Sequence, residues 1–560
     1  MSNEEIIDAL ELTAKLMELH EGDAFKIKNY SATAFSLNKL IDIQLANCSI
    51  DDLIKLQSVG KSTATKIVEF VQTGHFKELD DLLAQTPSGV LDMFKVKGIG
   101  PKKIAVIWRE LGIEDLRELQ IACESGKIAK LKGFGEGTQQ KILDSLAFMQ
   151  SQVGKLRMDK AEALAQQIKA LLSPVFERVE IAGQVRRRSE IVDTLVLIIA
   201  TNEPVKAQQQ INVFEDLVQD VKHSSPFIWR GKAFDLQVLV ELVCVKPDQF
   251  GSQYFILSAD QKHLAERTPS GQSLMQVAYN ETIVSDEDVY QKANLPFIVP
   301  EMREGLGEFE WAINNKIEDL VTWNDLRGIL HNHSTYSDGK HSLERMATFC
   351  KELGFEYLGI ADHSKSAGYA NGLSVERVID QHREIEKLNQ QLAPFKILKG
   401  IEADILGDGT LDYDNDILAT FDYVVASVHS NLTMNYDKAM SRLVRAIENP
   451  HTTILGHPTG RLLLSREGYP IDHKLIIDAC AANNVVIEIN ASPWRLDIDW
   501  RWIRYCIEKN VMLSINPDAH ETDGYFDMHY GVSIGRKGGL TKNMTFNALT
   551  LTEIEAFLKK

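Results

Sequence analysis

The chain has 560 residues, of which 44% are hydrophobic, and this predicts roughly two to four folded domains because one hydrophobic core stops growing well below this length. A net charge of −18 argues against a protein coated with nucleic acid over its whole surface. No apolar run is long enough to span a bilayer, and the N-terminus is an acidic amphipathic helix, which differs from a basic, apolar export signal. We therefore expect a cytoplasmic protein.

Six cysteines are scattered along the chain without a CxxC pair. This spacing favours neither a disulfide framework nor a thiolate zinc site. Any metal site must therefore use histidine, aspartate and glutamate.

Residues 1–154 read as short helices separated by glycine turns, and three turns, at 58–61, 97–101 and 132–135, share one pattern. Glycine permits the tight backbone, and the amides that open the next helix remain free to hold a phosphate oxygen. One copy is typical of a simple helical hairpin. Three copies, in a region with ten basic and seven acidic residues between positions 95 and 145, predict sequence-independent binding of the DNA backbone. The expected contacts are Gly60, Lys61, Gly98, Gly100, Lys102, Lys103, Gly133 and Gly135.

The last third of the chain contains seven short apolar runs that alternate with amphipathic helical stretches. They are RGILHNH, YLGIADH, ILKGIEAD, DYVVASVH, TTILGHP, VVIEIN and VMLSINPDAH. This alternation predicts a parallel β/α barrel, whose chemistry lies where the carboxyl ends of the strands meet.

Polar side chains that could bind metal follow these runs. The nine candidates are His331, His333, Asp338, His363, Glu402, His429, His457, Asp518 and His520. Neutral imidazole suits zinc, manganese or iron, and a carboxylate can bridge two cations for phosphate ester cleavage. A single histidine is more often a hydrogen-bonded core or surface residue, but nine residues at successive strand ends predict a metal site. We expect His341, which lies beyond the turn, to be solvated.

The motifs HNHSTYSDG, IADHS, GIEADIL, SVHS, GHP and NPDAH resemble those of the PHP (polymerase and histidinol phosphatase) domain. The resemblance implies a distorted seven-stranded barrel, three divalent ions (Zn²⁺, Mn²⁺ or Fe²⁺) and phosphoesterase or 3′–5′ exonuclease activity. It assigns the catalytic role to His331, His333, Glu402, Asp518 and His520. Two arginines, Arg461 and Arg495, are predicted either to contact substrate phosphate or to form structural salt bridges.

The order of segments resembles the bacterial family X DNA polymerases along nearly the whole chain. It implies a multidomain α/β protein with a helical helix-hairpin-helix part, an α+β nucleotidyltransferase-like palm and thumb, and a C-terminal PHP barrel. The expected bounds are 1–85 for a lyase-like helical domain, 86–154 for a helix-hairpin-helix region, 155–245 for the palm, 246–322 for the thumb and linker, and 323–560 for the PHP domain. Lys66 falls where that family carries a Schiff-base lysine, although a helical lysine is usually only solvated.

The palm departs from the family pattern. Counted from the Gly183 turn, the first two metal-binding aspartate positions are Thr194 and Val196, and Asp235 is interpreted as the third. Mg²⁺ requires anionic oxygen ligands, so we expect no Mg²⁺ in the palm and no polymerase activity.

These interpretations together predict a monomeric DNA repair protein that binds gapped, nicked or single-stranded 3′ ends and shortens them. One alternative is an active gap-filling polymerase with an attached exonuclease. A second is a DNA-binding protein whose barrel hydrolyses a small phosphomonoester.

Overall fold

The computed structural model describes residues 1–38 and 43–559, and the chain divides into two compact units, Met1–Val153 and Gly154–Lys560. In the described part of the chain, no helix is long and apolar enough to cross a membrane. The finer domain bounds within these units stay predictions.

The first unit is all helical. Its α-helices are α1 (Asn3–Leu19), α2 (Ala24–Leu37), α3 (Ile50–Ile54), α4 (Lys61–Thr73), α5 (Lys77–Ala84), α6 (Ser88–Asp92), α7 (Pro101–Leu111), α8 (Leu116–Glu124) and α9 (Glu136–Gln152). Helix α1 joins two hydrophobic cores, because Ile6 and Leu10 pack into one while Leu16 and Leu19 pack into the other. Its apolar residues recur at helical spacing on more than one face, which lets one helix serve both cores.

The second unit begins with a mixed α/β part. Its strands are β1 (Leu156–Arg157), β2 (Val179–Ile181), β3 (Ile191–Val192), β4 (Thr194–Ala200), β5 (Leu217–Gln219), β6 (Ile228–Ala233) and β7 (Leu239–Val245). Its helices are α10 (Met158–Leu172), α11 (Gly183–Arg186), α12 (Pro204–Ile211), α13 (Phe250–Leu257), α14 (Gln261–Leu264), α15 (Leu274–Asn280), α16 (Asp286–Ala293) and α17 (Glu308–Asn314). Five strands form a sheet in the order β2-β4-β7-β6-β5, and β1 pairs with β3 separately. The continuous apolar run of β4 suits its interior place in that sheet.

The remaining residues form the barrel. Its strands are β8 (Gly328–Ile329), β9 (Tyr357–Ile360), β10 (Lys396–Asp404), β11 (Tyr423–Ser427), β12 (Ile454–Leu455), β13 (Val486–Asn490) and β14 (Leu513–Asn516). Its helices are α18 (Leu343–Glu352), α19 (Val375–Leu392), α20 (Asn415–Leu418), α21 (Tyr436–Ile447), α22 (His473–Asn483), α23 (Ile503–Glu508), α24 (Met528–Lys537) and α25 (Leu551–Leu558). All seven strands are parallel neighbours, in chain order from β8 to β14.

Backbone and side-chain bonds nearly close the barrel between its first and last strands. The amide of Asp518 donates to the carbonyl of His331 at 3.1 Å, and the amide of His333 donates to the carbonyl of Ala519 at 2.8 Å. At the other end, the Asn547 side chain donates to the carbonyls of Gly328 and Ile515, at 3.1 and 2.7 Å. The predicted fold class is therefore confirmed, including the seven-stranded barrel.

Candidate metal centre

The nine predicted ligands converge at one mouth of the barrel, because each lies at the carboxyl end of a strand or in the loop that follows it. Eight of them form three overlapping groups, and within each group the possible ligand atoms lie within 4.8 Å of one another. The groups are His333, Asp338, His363 and His520; His331, His333 and Asp518; and His363, Glu402 and His429. Shared members make the three groups one continuous cluster.

Glu402 lies at the centre of this cluster and is only 1% exposed. Its Oε1 atom is 3.0 Å from Nε2 of His457 and 3.1 Å from Nε2 of His429. Its Oε2 atom is 2.9 Å from Nδ1 of His363. The two oxygens thus face different imidazoles, as a bridging carboxylate requires, and His457 joins the cluster through this residue.

Buried charges set the protonation of the cluster. Burial opposes ionisation of Glu402, but the imidazoles of His429, His331 and His363 outweigh burial and hold its pKa well below the usual range. Burial and the neighbouring imidazoles lower the pKa of His333 to about 3. Burial lowers the pKa of His429, but Glu402 and Asp404 outweigh burial and raise that pKa to about 10. A cation would therefore displace a proton from His429, because an ionised carboxylate and a neutral imidazole are the forms that bind metal.

The donor atoms fit divalent cations. Several buried atoms of the cluster make no hydrogen bond of good geometry, namely His331 Nε2, His333 Nδ1, His363 Nδ1, His457 Nδ1 and Glu402 Oε2. Buried polar atoms are normally paired, so an unpaired group of nitrogen and oxygen donors around one space is suited to a cation.

Two carboxylates that the sequence interpretation missed support the ligand imidazoles from behind. Glu488 Oε2 lies 2.6 Å from Nδ1 of His331, and Asp404 is hydrogen-bonded to Nδ1 of His429. Such a carboxylate fixes the tautomer and orientation of a ligand histidine and raises its basicity. The signal in the sequence was an acid inside a buried strand, Glu488 in VVIEIN and Asp404 in GIEAD.

The two candidate phosphate-binding arginines have different surroundings. Arg461 donates to the backbone carbonyls of Arg495 and Leu496 and to the Asp499 carboxylate, so its guanidinium is used inside the fold. Arg495 Nε instead lies 3.6 Å from Oδ2 of the ligand Asp518. Arg495 therefore points its charge at the metal cluster.

His341 was expected to be solvated, but its ring is partly enclosed by the local fold. The side chain is half-buried, and its Nδ1 accepts a hydrogen bond from the amide of Thr522 at 3.2 Å. It belongs to none of the ligand groups.

The structure shows which palm residues lie where the sequence interpretation placed metal-binding acids. Val196 is buried, and its partner in register on the neighbouring parallel strand β7 is Glu241. The side chains of register partners share a face of the sheet, so Glu241 occupies the place that sequence reasoning gave to Asp235. Asp235 itself lies exposed in the turn after β6, with a left-handed φ of 59°. Glu241 is paired with Arg230 at 2.6 Å.

The palm arginines that follow Gly183 are engaged within the fold. Arg186 forms an ion pair with Asp286 at 2.6 Å, and Arg187 forms one with Glu304 at 3.0 Å. Both guanidinium groups are thus paired with carboxylates of the same unit.

The three glycine turns of the first unit share a positive φ angle at one equivalent position. The residues three positions before the first residue of α4, α7 and α9, which are Ser58, Gly98 and Gly133, all have positive φ angles. Gly60, Gly100 and Gly135 then serve as N-caps, and none of these three caps has a side-chain hydrogen bond. Apart from Pro101, which has no N–H, and the amide of Thr138, which donates to the Gly135 carbonyl, the first-turn amides are left available to an anion.

The flanking lysines lie at these turns with different neighbours. Lys61 and Lys102 are exposed, and Lys102 lies 3.6 Å from Glu18. Lys103 donates to the Gly98 carbonyl and lies over the Phe134 ring, at 3.4 and 5.5 Å.

Lys66 is not an isolated surface lysine. Its amine is hydrogen-bonded to both the Glu78 carboxylate and the Tyr30 hydroxyl, and its side chain is 22% exposed. The amine therefore faces an acid at the wall of an open pocket, which Glu78 also lines.

Comparisons with known proteins agree with this architecture. Residues 1–76 match the helix-hairpin-helix domain family, residues 90–147 the SAM-like helix-hairpin-helix tandem and residues 330–492 the PHP domain. A probable phosphatase of Thermoanaerobacter sp. is 25% identical over 31% of this chain and 73% of its own length. A probable phosphatase of Escherichia coli O81 is 28% identical over 30% of this chain and 64% of its own length.

A full-length relative is the DNA polymerase/3′-5′ exonuclease PolX of Bacillus subtilis, which is 35% identical over 100% of both chains. The helical hairpins, the mixed α/β middle and the metal-binding barrel occur here in one chain. The chain belongs to the bacterial family X DNA polymerases that carry N-terminal helix-hairpin-helix domains and a C-terminal PHP domain.

Proposed function

We propose that this protein is a metal-dependent 3′–5′ exonuclease that shortens DNA ends, with an inactive polymerase palm. The observation that carries the proposal is the cluster of three overlapping ligand groups at the barrel mouth. Bound Zn²⁺, Mn²⁺ or Fe²⁺ would supply Lewis-acid activation of water and of the phosphate.

The chain's own residues perform three tasks in this reaction. Glu402, Asp518 and the imidazoles hold the cations in a buried, polar space. Arg495, beside Asp518, contacts a phosphate oxygen and stabilises the charge that develops in the transition state. The helix-hairpin-helix turns bind the DNA backbone without reading its bases, because backbone amides and lysines contact only phosphate.

The palm supports no nucleotidyl transfer in this proposal. Two-metal catalysis needs several anionic oxygens around two Mg²⁺ ions. The β4 positions offer a threonine hydroxyl and a valine, and the neighbouring Glu241 is neutralised by Arg230. The proposal includes no lyase chemistry at Lys66, because its amine is engaged by the Glu78 carboxylate.

A second candidate is hydrolysis of small phosphomonoesters. It is favoured by the relatives named as probable phosphatases, which match this chain over about a third of its length. A cation cluster of the kind that the barrel residues could hold suits hydrolysis of either ester.

The test uses the purified full-length protein with a 5′-labelled primer-template and Mn²⁺, without nucleotides. The proposal expects a ladder of shortened primers, and no shortening by the His331→Ala/His333→Ala variant. The double variant His75→Ala/His223→Ala removes two exposed histidines and should keep full activity. An intact primer together with cleavage of p-nitrophenyl phosphate would refute the exonuclease proposal and support phosphatase activity.

A further inference from the structure

We propose that two palm residues, Arg157 and Glu190, are positioning residues for the metal centre. They fix the rim loop, defined as residues 491–499, and thereby keep Arg495 against Asp518. This inference rests on the proposed exonuclease function and extends it, because it gives the palm a role in hydrolysis.

The rim loop follows β13 and lies beside the ligand Asp518. It begins at the end of β13, where the Asn490 side chain donates to Oδ2 of Asp518 at 3.1 Å. Arg495 Nε lies 3.6 Å from the same oxygen. The position of this loop therefore decides where the Arg495 charge stands relative to the cluster.

The palm holds the residue next to Arg495. The guanidinium carbon of Arg157 lies 3.4 Å from the centre of the Trp494 ring, in a cation–π contact. Arg157 is 8% exposed and is itself fixed by Asp159 at 3.1 Å, whereas Trp494 is half exposed. A planar guanidinium stacked on an indole is a favourable pair that restricts both groups.

A second palm residue holds the chain just after the loop. The Glu190 carboxylate accepts hydrogen bonds from Nε1 of Trp500 at 3.2 Å and from the Arg501 guanidinium at 2.8 Å. Glu190 is 13% exposed in its side chain. An acid at this depth that binds two donors of the barrel is a specific anchor, since water competes weakly for it.

Both anchors belong to one small ribbon of the palm. Arg157 in β1 pairs with Ile191 in β3, and the amide of Met158 donates to the carbonyl of Glu190 at 3.2 Å. The ribbon thus contacts the rim loop near its centre and just past its end. On the barrel side, Arg461 binds the carbonyls of Arg495 and Leu496, so the loop is held between the palm and the barrel.

The experiment measures single-turnover and steady-state hydrolysis of a 5′-labelled single strand by the Mn²⁺-loaded full chain. Displacing a phosphate contact by a fraction of an ångström lowers the rate, so Arg157→Ala should lower kcat about tenfold. The KM for DNA should stay within about twofold, because the helical hairpins dominate DNA binding. Metal content should match the parent, and the variant should stay folded at the assay temperature, although losing the buried Arg157 lowers its melting temperature.

Four further variants make the result specific. Trp494→Ala removes the other half of the contact and should give the same loss, and the double variant Arg157→Ala/Trp494→Ala should be no slower than either single variant. Arg157→Lys keeps a cation over the ring and should retain more activity than Arg157→Ala. Arg178→Ala is the matched control, because Arg178 stacks on Phe250 within the same unit, at 3.9 Å, away from the rim loop.

The possible results separate the positioning role from a general effect on the fold and from failure of the proposed function. Full kcat in Arg157→Ala, or multiplying losses in the double variant, overturns the positioning role. Equal losses in Arg157→Ala and Arg178→Ala also overturn it, since they indicate a general effect on the fold. If the parent itself leaves the strand intact, the proposed function fails and this inference fails with it.

Discussion

Val196 and Glu241 lie opposite each other, in register, on the parallel strands β4 and β7. This pair occupies the part of the palm where family resemblance places the metal-binding acids. One position offers an apolar side chain and the other a carboxylate already bound by Arg230 at 2.6 Å.

The first prediction is that the palm does not extend primers. The His331→Ala/His333→Ala variant should add no nucleotides to a gapped primer-template with dNTPs and Mg²⁺ or Mn²⁺, because too few anionic ligands remain. This variant is used because it is expected to lack exonuclease activity and therefore cannot degrade a newly made product. Bands longer than the primer in a denaturing gel would refute the inactive palm.

The second prediction concerns the carboxylate behind His331. Glu488→Gln should weaken metal binding by about 10- to 100-fold, because the acid orients the ligand imidazole and raises its basicity. Metal content after dialysis, measured by mass spectrometry, checks this. Glu384→Gln is the control, because Glu384 accepts a hydrogen bond from Tyr336 at 2.7 Å and belongs to none of the ligand groups. Equal metal loss in both variants would contradict the assigned role.

The third prediction separates the two arginines. Arg495→Ala should lower kcat/KM by about 10- to 100-fold without changing stability, which corresponds to one lost charge-assisted contact to phosphate. Arg461→Ala should lower the free energy of unfolding by about 1–3 kcal/mol, because the rim-loop carbonyls and Asp499 lose their donor. Urea unfolding and exonuclease rates, measured on both variants, check the contrast; the reverse pattern would exchange the two roles.

The fourth prediction is a pH dependence of the helical unit. Burial raises the pKa of Glu78, but hydrogen bonds from Lys66 and Tyr30 outweigh burial and lower the pKa to about 2. The unfolded chain takes up this proton near pH 4.5 and the folded chain only near pH 2. The stabilisation is therefore complete above about pH 4.5 and is lost as the pH falls towards 2.

Glu78→Gln should accordingly lower the melting temperature at pH 7 by roughly 3 °C, and this difference should shrink towards pH 3. Calorimetry of the full chain measures both values. Glu110→Gln, at an exposed position of the same unit, serves as the control. A difference that persists unchanged at pH 3 would show that the side chain acts through packing and not through its charge.

Much of the barrel was predictable because its signals are local. Each strand is a short apolar run that ends in a polar residue, so His331, His363 and His457 could be assigned to strand ends from their own neighbours in sequence. The glycine turns before α4, α7 and α9 were predictable for the same reason, since a tight turn depends on a few adjacent residues.

The sequence by itself determined the barrel, the nine candidate ligands and the absence of acids at Thr194 and Val196. Only the tertiary structure decided that Glu241 and not Asp235 lies beside Val196, that Glu488 supports His331, and that Arg461 serves the fold. These relationships join residues on different strands and loops. Their partners are set by strand register and packing, which residues close in sequence do not encode.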